Sequence, residues 1–279
     1  MAQIKVKGSD EVKSFYNSKG WKKTEEGKYL DTDLFESKGT GPIANELEVK
    51  RRIRLKNFIR HNEKKINFLE AGCGANPATF MLDLCAKYTG VDFSETGIEE
   101  TNEILKKTGA TYEVAVADIC QLPFPDDHFD TVYTAHVLYH IPDSISQKKA
   151  FDEIMRVTKK GGTSLFILAN PRPILFPIRF FKRFIIDMPV VGDIINKIRP
   201  KAVLPYKPHT IGWMKKVLKN YGEVSVISYG LSSTYLKQHV SEHNFFGKTF
   251  WKTLAWLELD HPKASAYLGN YVALIAKKN

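Results

Sequence analysis

Between Ile66 and Ala169 the chain alternates short apolar runs with amphipathic stretches, and no other feature restricts its possible folds so sharply. The runs are "INFLEAG", "YTGVD", "TYEVAVAD", "FDTVYTAHVL" and "TSLFILAN"; Pro77 to Ala86, Glu95 to Lys107 and Ser146 to Thr158 carry helical spacing between them. Strands joined through helices pair in parallel, because each crossover returns the chain to the same end of the sheet. The pattern predicts an α/β, doubly wound, Rossmann-like sheet with helices on both faces. Gly161-Gly162 is expected to turn the chain into the fifth strand. A proline-punctuated segment follows over residues 171–208, then a helix "TIGWMKKVLKNYG", a strand "EVSVISYG", a second insertion over about 231–265 and a last strand "AYLGNYVALIAKK". Residues 1–65 lack strand alternation and hold a basic helix, "NELEVKRRIRLKNFIRHNEKK", so they are expected to form a helical cap on a domain spanning 66–279.

With 279 residues and 43% hydrophobic composition the chain can bury a full core. Cys73, Cys85 and Cys120 form an odd set without metal-ligand spacing, which argues against a disulfide framework or a metal site. No signal-peptide core opens the sequence and no run reaches the roughly 18 apolar residues of a membrane span, so a reducing cytoplasm is the expected location. The formal charge of +10 is uneven: +6 over residues 1–65, −7 over 66–169, +9 over 170–220 and +2 over 221–279. An acidic middle thus sits between basic flanks.

The first apolar run ends in "NFLEAGCGANPATF", a strand closing in a glycine turn of the type that seats nucleotide-like ligands. A glycine turn alone does not separate nicotinamide from S-adenosylmethionine sites. Glu70, just before the glycines, would repel a diphosphate and suits an ammonium group. Asp92 ends the second strand, where it can accept from ribose hydroxyls of either ligand. Asp118 closes the third strand ahead of Ile119 and Cys120, placed to bond an adenine amino group while the apolar pair lines the ring. Three acids at three successive strand ends favour S-adenosylmethionine.

Together "FLEAGCGANPATF", "GVDFSETGIEE", "ADICQLPFPDDHFDTVYTAHVLYHIPD" and "FDEIMRVTKKGGTSLFI" resemble the successive motifs of class I S-adenosylmethionine-dependent methyltransferases, especially the subgroup of ubiquinone and menaquinone biosynthesis, natural-product and sugar methyltransferases. The resemblance covers roughly residues 66–169. It implies a seven-stranded sheet with an antiparallel last strand, and cofactor roles for Glu70, Ala71, Gly72, Gly74, Asp92, Phe93, Asp118, Ile119 and the backbone at Ala135, with Tyr16 reaching in from the cap. Asn76 stands where the family often has a third glycine; asparagine tolerates left-handed backbone.

Methyl transfer to a hydroxyl needs alignment and a proton acceptor. His140 is the leading candidate base, with His136 beside it after the fourth strand and His209 a weaker choice. A small-molecule acceptor, methylated at oxygen, is the expectation. The segment over 171–208 mixes apolar residues with Arg172, Arg179, Lys182, Arg183, Lys197, Arg199 and Lys201, so an anionic or lipid-linked acceptor and peripheral membrane contact are both open. Nucleic acid is disfavoured: "NPRP" at 170–173 resembles an amino-methyltransferase motif but follows the fifth strand instead of the fourth, and no nucleic-acid module accompanies the basic flanks. RNA or protein methylation, a nicotinamide oxidoreductase and a non-catalytic Rossmann-fold partner are the alternatives, separable by calorimetric titration with S-adenosylmethionine and with NAD(P).

Overall fold

The computed structural model describes residues 9–21, 23, 41–59, 65–173, 205–232, 236 and 240–279. The basic stretch over 174–204 lies outside them. Seven strands form one sheet: β1 (Ile66–Ala71), β2 (Cys85–Asp92), β3 (Tyr112–Val116), β4 (Phe129–Ala135), β5 (Thr158–Ala169), β6 (Gly222–Gly230) and β7 (Tyr271–Lys278). Their order is β3-β2-β1-β4-β5-β7-β6, with β1 to β5 parallel and β7 antiparallel to both neighbours. The expected architecture, including the antiparallel last strand, is therefore present.

The apolar runs are continuous because both faces of the sheet are covered. Leu69 and Ala71 point to one face with Val132, Phe166 and Leu274, packed by α4 (Ser144–Val157) and α5 (Ile211–Leu218) through Phe151, Ile154, Met214 and Leu218. Phe68 points to the other with Tyr88, Tyr133, Ile167 and Ile227, covered by Leu55 of α2 (Pro42–Lys56) and Leu105 of α3 (Glu95–Leu105). Side-chain caps fix the helix starts: Ser94 accepts from Gly97 N, and Asp143 from Ile145 N and Ser146 N.

Two local expectations are corrected. Pro77 to Ala86 is not an α-helix: Thr79–Leu84 forms a 3₁₀ turn and β2 already begins at Cys85. Cys85 pairs with Ile66, the first residue of β1, so the chain must return to the sheet at once; meanwhile the Glu70 carboxylate takes the Ala78 N–H. Gly161-Gly162 does not precede the fifth strand but lies within it, where the register between β4 and β5 slips. Gly161 has φ +75, and a Cβ on Gly162 would stand 2.8 Å from the Asp130 carbonyl, so the pair forms a bulge closed to larger residues.

The N-terminal region divides in two. Helix α2 packs beside α6 (Phe245–Leu259), the helix of the β6–β7 insertion. Arg51 of α2 is buried against Glu258 of α6, which carries a bidentate pair and also accepts from Leu231 N at 3.0 Å. Arg54 donates to the carbonyls of Ser228 and Glu258. Glu242, from the same insertion, accepts from Ile43 N (2.8 Å) and Ala44 N (2.9 Å), capping the first turn of α2 with a carboxylate. The other piece, α1 (Ser9–Phe15) and the wide π-type turn Tyr16–Gly20, sits on the N-terminal end of α3.

Candidate functional site

Strand order reverses between β1 and β4, so the connections leaving their carboxyl ends part and open a crevice, the usual ligand position in such a sheet. The glycine turn enters it from β1 and the stretch from Ala135 to His140 from β4. Gly72 (φ +86) and Gly74 (φ +53) hold left-handed conformations, and both touch neighbours closely: a Cβ on Gly72 would run into Val137, one on Gly74 into the Trp21 indole. Gly72 N and Cys73 N donate to the Val91 carbonyl, Gly74 N to Asp92, and Thr101 Oγ1 donates to the Gly74 carbonyl at 2.6 Å. The turn is thus held to β2 and α3 at once. Asn76 is exposed and does not use a left-handed backbone, so the third-glycine position makes no such demand here.

Glu70 is buried, and both of its hydrogen bonds, from Ala78 N (2.7 Å) and the Tyr88 hydroxyl, go to Oε2. Among the described residues Oε1 accepts none. Burial pushes the Glu70 carboxyl up to about 8 despite these donors, so near neutral pH it is mostly protonated. Asp92 is also buried and raised, to about 6, by the same cause; its oxygens accept from Gly74 N and Ser94 N, each at 2.9 Å. Ala71 is fully buried beneath the turn. Asp118 lies just beyond β3, exposed, accepting from Cys120 N at 2.8 Å, while Ile119 beside it is buried.

The N-terminal segment closes onto this region. Asn17 receives the Ser94 hydroxyl at 2.6 Å and donates to Glu95, its carbonyl accepts from Thr96, and Lys13 and Lys23 pair with Glu95 and Glu100 at 2.6 and 2.8 Å. The clamp sets Tyr16 edge-on to Phe93 and stacks it on Trp21 with centroids 4.9 Å apart. Tyr16 therefore lies beside Phe93, the residue after Asp92. Trp21 and Asn17 were missed in the sequence: their contacts depend on a chain reversal at Tyr16–Gly20 that no local pattern announces. A left-handed glycine turn, a Glu70 oxygen without a partner among the described residues and Asp92 beside the Phe93–Tyr16 ring pair fit the aminoacyl and ribose parts of S-adenosylmethionine.

At the β4 side Ala135 ends the strand, and His136 turns the chain with φ +63, a costly conformation for a non-glycine residue. Its N–H bonds the Ile167 carbonyl, its Nδ1 lies 3.0 Å from the Tyr139 hydroxyl, and its ring packs edge-on to Tyr271. The His136 side chain is exposed to solvent. His140 is fixed differently: its Nδ1 meets the Pro205 carbonyl at 2.8 Å. A carbonyl only accepts, so Nδ1 carries the proton and the neutral ring presents the Nε2 lone pair. Burial lowers the His140 pKa. His209 stacks on Trp213 at 3.7 Å and lines a small cavity with Leu138 and Tyr139. Asn170 is spent on structure, donating to the Tyr267 and Gly269 carbonyls and accepting from Arg172 N, so "NPRP" has no free amide to offer a substrate amine.

Residues 69–166 match a family model described as a methyltransferase domain. Over 116 residues the chain is 35% identical to the demethylmenaquinone methyltransferase of Geobacillus stearothermophilus, an alignment covering 40% of this chain and 47% of that one. It is 27% identical over 195 residues to the demethylmenaquinone methyltransferase of Bacillus subtilis, covering 67% and 78%. The chain spans about half the length of the Geobacillus relatives it matches. Among solved structures it resembles the N-methyltransferase NodS of Bradyrhizobium japonicum in complex with S-adenosyl-L-homocysteine, with a TM-score of 0.53, 15% identity and coverage of 91% and 93%. At that identity the likeness is one of fold.

Proposed function

We propose, from the premise that residues 69–166 belong to the class I S-adenosylmethionine-dependent methyltransferases, that the chain methylates a small hydroxylated acceptor with His140 as the general base. S-adenosylmethionine, when bound, supplies an electrophilic methyl group on a sulfonium. The chain's part is to seat it and to deprotonate the acceptor. Gly72 and Gly74 give the turn its left-handed path beside the aminoacyl tail, Oε1 of Glu70 receives the ammonium, and Asp92 takes the ribose hydroxyls with Phe93 and Tyr16 alongside. Binding of an ammonium at Glu70 draws off the proton that burial holds there.

The observation that carries the base assignment is the His140–Pro205 hydrogen bond. It fixes the tautomer whose Nε2 takes the hydroxyl proton as the acceptor oxygen takes the methyl group. His136 is tied to Tyr139 at the exposed turn after β4. Oxygen is the proposed acceptor atom. A ring carbon next to the same deprotonated oxygen is the second reading, since one base serves both, and it is supported by a relative named as a ubiquinone/menaquinone biosynthesis C-methyltransferase.

His140→Ala tests the assignment. Turnover on a hydroxylated acceptor should fall about 10²–10⁴-fold with cofactor affinity near normal. Because burial lowers the ring's pKa, the acid limb of the kcat profile should lie below the ordinary histidine range and vanish in the variant. Full activity in His140→Ala removes the base role, and absence of S-adenosylmethionine binding in calorimetry removes the methyltransferase reading.

A further inference from the structure

Helix α6 buries one side and displays the other. Gly247, Trp251, Leu254 and Glu258 face inward, at the spacing of a single stripe. The outward arc is aromatic: Phe245 is 76% exposed, Phe246 82%, Phe250 36% and Trp256 52%. Four large aromatic side chains on one fifteen-residue helix exceed the scattered apolar residues of an ordinary surface. Lys248 and Lys252, one turn apart, run along one margin of the arc, threonines 249 and 253 lie within it, and no carboxylate enters it before Asp260 at the helix end.

We infer that this face of α6 is a docking surface for an anionic phospholipid membrane. Aromatic rings favour the boundary between headgroups and acyl chains, and lysines at the edge of such a face reach the phosphates. The helix is held by its inner stripe and by Glu258 on Arg51, so the rings enter the interface on a rigid frame. The charge on the face itself agrees, since Lys248 and Lys252 are exposed with no carboxylate between them. No helix among the described residues is long and apolar enough to cross a membrane, so this contact lies on the surface. The insertion leaves β6 at Gly230 and enters β7 at Tyr271, the ring that packs on His136, so the docking helix is connected at the end of the sheet that bears the site. The inference stands on α6 alone and does not require methyl transfer.

Co-sedimentation with phosphatidylcholine vesicles, with and without phosphatidylglycerol, tests it. The full chain should partition to the phosphatidylglycerol vesicles and be released by salt. Phe245→Ser with Phe246→Ser should weaken binding about tenfold or more with an unchanged melting temperature, since both rings are exposed. Lys248→Gln with Lys252→Gln should weaken it about fivefold per lysine, and only where phosphatidylglycerol is present. Failure to sediment at low salt overturns the inference, as does binding that survives both pairs of substitutions. So does a concentration-dependent dimer in analytical ultracentrifugation that the phenylalanine variant abolishes, which assigns the face to a second copy of the chain.

Discussion

Replacing Glu70 by glutamine makes the fold's hidden acid measurable. Burial lifts the carboxyl from an ordinary 4.5 to about 8, so from pH 4.5 upward the unfolded chain loses a proton that the folded protein keeps. Stability then falls as pH rises, and the loss levels off above pH 8, where both states are ionised. At about 1.4 kcal/mol per unit, the ceiling is about 5 kcal/mol, of which about 4 is lost between pH 5 and pH 9. Glutamine keeps the size and still accepts the Ala78 N–H but cannot ionise, so its stability should lack this component. Urea unfolding of both proteins at pH 5, 7 and 9 reads the difference: the variant should gain on the parent by a few kcal/mol as pH rises. Asp92, raised in the same direction, contributes to both proteins and cancels. A difference independent of pH would refute the buried-acid account. Calorimetry in buffers of different ionisation enthalpy gives a second readout: S-adenosylmethionine should release a proton near pH 7 from the parent and far less from Glu70→Gln, where only the small protonated fraction of Asp92 contributes.

Asp92→Ala should weaken S-adenosylmethionine binding about 10- to 10³-fold by calorimetry, because a carboxylate acceptor for two hydroxyls is lost; in the parent, affinity should drop as pH falls through about 6. Gly74→Ala should lose cofactor affinity in the same titration, and adding Trp21→Ala should restore the steric part while the cost of φ +53 remains. Glu258→Gln should destabilise the fold by up to about 3 kcal/mol in urea unfolding, since it removes the buried bidentate partner of Arg51 and leaves that charge with Glu48 alone.

What was legible in the sequence was whatever depends on short-range periodicity. The five parallel strands, the order of elements and the glycine turn follow from apolar runs and turn residues within a few positions of each other. Strand limits were less legible: "FDTVYTAHVL" reads as one run, yet β4 stops at Ala135 because His136 takes a left-handed backbone. The 3₁₀ turn at Thr79–Leu84 went unseen because Cys85 must pair with Ile66, a tertiary demand on residues whose spacing also suits a helix. In the candidate site, Glu70, Asp92 and the glycines were singled out from their place at strand ends. Trp21 against Gly74 and Pro205 on His140 join residues 53 and 65 positions apart, and nothing local marks either contact.

The grip of the β6–β7 insertion on α2 bears on how the chain can be recombined. Glu242 holds the first turn of that helix and Glu258 its middle, across roughly two hundred residues of sequence. A chimera whose imported insertion lacks an acid at the Glu258 position would leave the buried Arg51 with only Glu48 of its own helix, and one that imports only a helix without this arginine would strand Glu258. The two segments are therefore a single exchangeable part, and grafts that move them together should fold where either half alone does not.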